Sequence, residues 1–262
     1  VAAQPDVIPP RLLDAGDAAF TVEFGETIDP KLLDAVRALD SAIAREHAAG
    51  RLPGLIETMP TFRSLTVFFD PLITGRGTLI DALQPLLHTA TDAAPVEGRR
   101  WCLPVCYEGD AAPDLAAIAQ AMGTTTDAVI SMHSGTAVRV YMLGFLPGFP
   151  FMGELPLPLR LPRRTEPRLR VPAGSVAIAG SLTAIYPWES PGGWHLLGRC
   201  PVPLFDATRD SPSLLAVGDQ VRFEPVSTDE FSRLATALRA AEIDPTHWLT
   251  PAPDADAMAG AR

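Results

Sequence analysis

The sequence predicts an α+β protein in two parts, an N-terminal domain over residues 1–92 and a second over 93–250. Residues 11–88 run strand, helix, strand, strand, helix, which is the order of a ferredoxin-like split βαβ domain. Residues 90–98 lack large apolar side chains and read as the linker. Residues 141–205 are dense in glycine, proline, aromatics and arginine, which excludes a stack of long helices. That stretch reads as short strands joined by stiff, shaped loops, the usual make-up of a rigid binding surface.

In order, residues 11–24 form two short strands around Ala15-Gly16-Asp17. Asp29 then caps a helix with Pro30 at its first position. Leu32, Leu33, Val36, Leu39 and Ile43 share one face of that helix, and Gly50 ends it. Strands over 55–61 and 64–70 meet at Phe62-Arg63, and a helix over 77–88 buries Leu79, Leu83, Leu86 and Leu87. The fourth strand of this sheet is either the first short strand or residues 99–107.

The second part starts with two short helices. One follows Pro113 and closes at Gly123; the other starts at Thr125 or Thr126 and ends near His133. Strands are expected over 136–143 and 219–226, and Ser227 with Glu230 fits a capping box for a helix over 228–241. The tail over 251–262 is small and polar enough to be disordered.

Composition narrows the function. A net charge of −10 disfavours nucleic-acid backbone and anionic membranes as partners. No apolar run approaches the ~18–20 residues that span a bilayer, and the N-terminus does not read as a secretory signal. Cys102, Cys106 and Cys200 cannot all pair within one chain, so free thiols and a reducing cytoplasm are expected. Their spacing does not suit a metal site, and none is expected. Lys31 is the only lysine and lies outside any glycine-rich loop, so there is no Walker A phosphate loop; GxSxG, HExxH and GxGxxG are absent too.

The candidate chemistry therefore lies in 141–205. Arg160, Arg163, Arg164, Arg168 and Arg170, interleaved with prolines, suit bidentate binding of carboxylate or phosphate, or salt bridges to neighbouring acids. In SPGGW, Ser190 and the backbone amides of Gly192 and Gly193 can point at a ligand oxygen, with Trp194 and Tyr186 as pocket walls; a tight turn beside a core tryptophan is the alternative. Phe145, Phe149 and Phe151 read as packing residues. His133 is a candidate base or a helix-end residue, His195 is open between exposed and functional, and Glu154 and Glu166 are candidate bases or arginine partners.

The strings LGFLPGFPFMGEL, VPAGSVAIAG, IYPWESPGGW and LLGRCP, with the PRR…PR loop, resemble the KipI family, also called allophanate hydrolase subunit 1 or the 5-oxoprolinase component PxpB. The resemblance implies that 93–250 is a cyclophilin-like β-barrel domain. It implies a KipA-type partner (allophanate hydrolase subunit 2, PxpC) and a third component of LamB/YcsF type (PxpA). The activity implied is ATP-dependent hydrolysis of 5-oxoproline to glutamate, with ATP and Mg at a site shared with, or carried by, a partner. Coupling to ATP implies phosphorylating the lactam oxygen, a step that needs cationic clamps. His133 and Ser175 are then the catalytic candidates, and Arg163, Arg164, Arg168, Tyr186, Ser190, Gly192, Gly193 and Trp194 the substrate- or phosphate-binding ones. Branches of the family also imply two alternatives, an inhibitor of a sensor histidine kinase and a module of urea amidolyase chemistry. The chain departs from the family pattern at Leu182 (for glutamine), Ala184 (for glycine) and Cys200 (for threonine).

Overall fold

The structure, a computed structural model, describes residues 9–91 and 97–251. The chain divides into two compact units, Val1–Glu97 and Gly98–Arg262. The expected disordered tail lies outside the described residues except for Pro251.

In the first unit, β1 (Arg11–Asp14), β2 (Ala19–Glu23), β3 (Leu55–Pro60) and β4 (Ser64–Phe69) form an antiparallel sheet in the order β1-β2-β4-β3. The first short strand, not residues 99–107, thus supplies the fourth strand. Helix α1 (Pro30–Ala48) begins where the Asp29 side chain accepts from the Lys31 amide at 2.7 Å. Its Leu33, Val36, Leu39 and Ile43 pack with Phe20, Val22, Leu65 and Val67 of the sheet. Helix α2 (Arg76–Thr91) adds Leu79 and Leu83 to the same core.

The second unit is a closed β-barrel. Its strands are β5 (Arg100–Cys106), β6 (Val138–Leu143), β7 (Pro150–Gly153), β9 (Ser175–Ala179), β10 (Leu182–Ile185), β12 (His195–Arg199), β13 (Gln220–Val226) and β14 (Leu249–Thr250). They run β12-β9-β10-β7-β6-β13-β5-β14, and pairing of Arg199 with Cys106 joins β12 to β5 and closes the ring. The β13–β5 pair is parallel; its other neighbours are antiparallel. Trp101, Leu103, Val105, Val140, Ile178, Leu197 and Phe223 are among the buried core residues, with helices α3 (Leu115–Ala121) and α4 (Thr126–Ser134) packed on them through Ile118 and Val129. Helix α5 (Thr228–Arg239) follows β13. Outside the barrel, β8 (Arg168–Val171) and β11 (Ser190–Gly192) make a separate two-stranded ribbon. No helix among the described residues is long and apolar enough to cross a membrane.

Candidate functional site

The β8–β11 ribbon builds the site. Gly192 stands opposite Arg168 and Ser190 opposite Val171, with an irregularity between them. Directly opposed residues of an antiparallel pair share a face, so these four look the same way. Val171 is fully buried in an aromatic cluster with Phe149, Tyr186 and Trp194, which fixes that face as the inner one. Phe149 meets the Tyr186 ring edge-on at 5.0 Å and Trp194 at 6.4 Å. A Cβ at Gly192 would stand 2.4 Å from the Tyr186 hydroxyl oxygen, so glycine is what lets the phenol lie against the ribbon. The Gly193 carbonyl accepts from the Arg164 amide at 2.8 Å, tethering the arginine loop to the turn. The double glycine therefore contributes room and a tether.

Arg164 and Arg168 converge on Asp114, a residue the sequence did not single out. Arg164 Nη1 donates to Asp114 Oδ1 at 3.3 Å and Arg168 Nη2 to the same oxygen at 2.6 Å, while the Leu196 amide donates to Oδ2 at 2.7 Å. The Asp114 amide in turn donates to the Leu196 carbonyl at 3.2 Å, which sews the start of α3 to β12. Asp114 is 6% exposed. The arginines are thus salt-bridged, yet Arg164 Nε, Arg168 Nη1 and Ser190 Oγ are buried with no hydrogen-bond partner. Each such orphan costs about 1–3 kcal/mol, more for a charged group, unless a ligand or water fills it. Burial pushes the Tyr186 phenol up, opposed by the charges of Arg163 and Arg168, which puts both guanidinium groups within electrostatic reach of its hydroxyl.

Beside this cluster, a cavity of about 460 Å³ opens between α3 and residues 161–166, with Asp114, Arg163, Arg164, Glu166 and His195 on its walls. His195 Nε2 donates to the Pro162 carbonyl at 2.9 Å, pinning the loop. The other two loop arginines go elsewhere: Arg160 Nε donates to the Leu155 carbonyl at 2.8 Å and Arg170 pairs with Glu189 on the surface.

The two catalytic candidates make no hydrogen bond to the loop arginines. His133 is completely buried, bonded to Tyr107 and Thr183 and stacked on Phe223 at 4.6 Å, and burial lowers its pKa to about 3. Such an imidazole is a buried core member, neutral near pH 7. Ser175 is a buried strand residue whose carbonyl accepts from the Tyr186 amide at 2.9 Å, so it places the tyrosine through the backbone. Of the departures from the family pattern, Leu182 packs against the aromatic cluster, Ala184 is buried within it, and Cys200 is a buried thiol pushed up to about 12.

A family model described as "Carboxyltransferase domain, subdomain C and D" matches residues 10–215. The chain belongs to that family. Within it, the chain is 37% identical over 226 residues to the 5-oxoprolinase B component of Bacillus subtilis (strain 168), covering 82% of this chain and 92% of the relative. It is 43% identical over 176 residues to the 5-oxoprolinase B component of Escherichia coli O157:H7, covering 66% and 79%. These matches bear out the likeness to the KipI-type group of 5-oxoprolinase components that the motifs carry. Among solved structures, the crystal structure of TTHA0988 superposes with a TM-score of 0.71 at 40% identity, covering 80% of this chain and 40% of that one. This member of the carboxyltransferase subdomain C and D family thus spans nearly all of the Bacillus relative but well under half of TTHA0988.

Proposed function

We propose that this chain is the B component of an ATP-dependent 5-oxoprolinase, which opens the cyclic amide 5-oxoproline to glutamate together with a KipA-type subunit and a LamB/YcsF-type subunit. The observation that carries the proposal is identity of 37% and 43% to relatives named as that component of 5-oxoprolinase, over 92% and 79% of their lengths. The geometry supports it. A small cyclic acid needs an anion clamp beside an apolar wall; Arg164, Arg168 and Ser190 keep unused buried donors, and Arg168 and Ser190 lie on the ribbon whose Val171 joins the Tyr186–Trp194–Phe149 cluster. The fold names ferredoxin-like and cyclophilin-like, and a cytoplasmic setting suited to three free thiols, belong to the same reading.

The nucleotide is a second substrate of this reaction. The arginine heads suit one oxyanion. We therefore assign Mg-ATP to a site that a partner subunit carries or completes. This chain matches 40% of TTHA0988, so in that polypeptide the shared part is joined to further sequence. The role of this chain is then to seat the acid, shield it from water and present its amide.

The test is glutamate release from 5-oxoproline by the co-expressed subunits. Release that needs ATP and every subunit is the expected result; a well-folded complex with no turnover removes the reading.

A further inference from the structure

We infer that Asp114 is a positioning residue that sets Arg164 and Arg168 as a clamp for a single negative charge, and that the clamp takes the carboxylate of the substrate, not a phosphoryl group. This deepens the 5-oxoprolinase reading and rests on it.

A guanidinium is planar and rigid, so fixing one of its nitrogens orients the others. Asp114 Oδ1 fixes Nη1 of Arg164 and Nη2 of Arg168, and its other oxygen is locked by the Leu196 amide. Of the nitrogens left over, Arg164 Nε and Arg168 Nη1 are buried and unpartnered. Ser190 Oγ, on a residue 9% exposed and on the same ribbon face as Arg168, is a third unpartnered group. Leaving three such groups idle is costly, and an oxyanion is the partner we assign to them.

Charge decides which oxyanion. Two guanidinium charges against the one Asp114 carboxylate leave a single positive charge, which a carboxylate balances. A phosphoryl group near neutral pH carries close to two negative charges. Arg163 is exposed, and solvent screens its contribution. The adjoining cluster of Phe149, Tyr186 and Trp194 is apolar and buried, and the further cation within reach of it is the exposed Arg163.

The experiment uses the assembled complex with three probes: 5-oxoproline, its neutral amide 5-oxoprolinamide, and inorganic phosphate, by titration calorimetry and steady-state kinetics. The acid is expected to bind at least ~30-fold more tightly than the amide, and phosphate to leave its affinity unchanged. Arg168→Gln and Asp114→Asn are expected to raise KM for 5-oxoproline about tenfold or more, leave KM for ATP unchanged and erase the preference for acid over amide. Asp114→Glu is expected to recover part of that preference. Ser190→Ala removes an idle buried hydroxyl, so it should weaken acid binding roughly fivefold while leaving Tm equal or higher; this variant holds the test open if Asp114→Asn fails to fold.

Phosphate competing with the acid, or Arg168→Gln acting on ATP instead, gives the clamp to the nucleotide and overturns the inference. So does a wild-type complex that does not bind the acid. Asp114→Asn within twofold of wild type, while Arg168→Gln acts, removes the positioning role. Acid-over-amide binding that depends on Ser190, in a complex that releases no glutamate, leaves the clamp standing and sinks the function proposed above.

Discussion

Tyr107 donates its phenolic hydrogen to His133 Nδ1 across 2.8 Å inside the second unit, and the direction of that bond is fixed by a third residue. Thr183 spends its hydroxyl hydrogen on the Ala177 carbonyl at 3.0 Å, so its oxygen must accept from His133 Nε2 at 3.1 Å. The imidazole is therefore the Nε2–H tautomer, neutral, with its lone pair occupied.

Stability should fall with acid for this reason. The pKa of His133 is about 3 when folded and about 6.5 when unfolded. Between those values the unfolded chain binds the extra proton, so stability is full above about pH 6.5 and declines as pH drops toward 3, by up to about 1.4 kcal/mol per pH unit from this group. Urea titrations of wild type and His133→Gln at pH 7.5, 6 and 5 check it. The variant should be less stable at pH 7.5 and lose less on acidification. Equal acid dependence in both would show that other groups set it.

Asp219 should be the most costly single truncation we consider. It is 2% exposed and accepts from the amide, Nε and Nη2 of Arg99, Nε1 of Trp101 and the Ala216 amide. These bonds weld the starts of β5 and β13, the parallel pair whose register runs from Gln220–Arg100 to Val226–Cys106. Asp219→Ala strands a buried indole N–H and two amides. A loss of about 3–5 kcal/mol is expected in urea unfolding, toward the lower end because Arg99 can reach water. A loss under about 1 kcal/mol would mean that the weld is redundant.

Local chemistry made much of this legible in the sequence. Asp29, Thr125 and Ser227 cap their helices with side-chain oxygens, and Gly50 and Gly123 take φ of 72° and 63° where α1 and α3 end. The stretch 141–205 does hold the ribbon, the aromatic wall and the arginines. What failed was what only the fold brings together. Glu230 does not reach back to its cap: its carboxylate pairs with Arg233 at 2.7 Å, and Glu108, 120 residues before Thr228, accepts from the Thr228 amide. Asp114 lies 50 and 54 residues before its arginines, and nothing local marks it. His133 carried one usable sign, since it stands four residues after the fully buried Val129 and so shares its helix face.

Thiol reactivity should follow burial. Cys106 and Cys200 are buried, and desolvation pushes Cys200 up to about 12, so Cys200 forms almost no thiolate near pH 8 and Cys106 is shielded by packing. Cys102 is partly exposed, and burial with the charge of Glu224 raises its pKa as well. Native protein treated with an aromatic disulfide at pH 8 should therefore release at most one equivalent, slowly, and the full three thiols only in denaturant. Rapid release of all three from native protein would contradict the packing around Cys200.

The contact between Gly192 and Tyr186 makes the final prediction, because it separates room from chemistry. A Cβ at position 192 would meet the Tyr186 hydroxyl oxygen at 2.4 Å, with Cζ at 2.9 Å and Cε1 at 3.0 Å. The ring is held by Phe149, and its backbone by Ser175 and Gly174, so it has little freedom to retreat. Gly192→Ala should destabilise the protein by about 1–3 kcal/mol and displace the phenol from the ribbon face that carries Arg168 and Ser190. Tyr186→Phe in the same chain removes the closest clash but not the ring contacts, so it should restore part of the stability. Activity then tells the two roles apart. If the phenol only fills space, the double variant recovers turnover along with stability. If its hydroxyl serves the bound acid, stability returns and turnover does not, and Tyr186→Phe alone is already impaired.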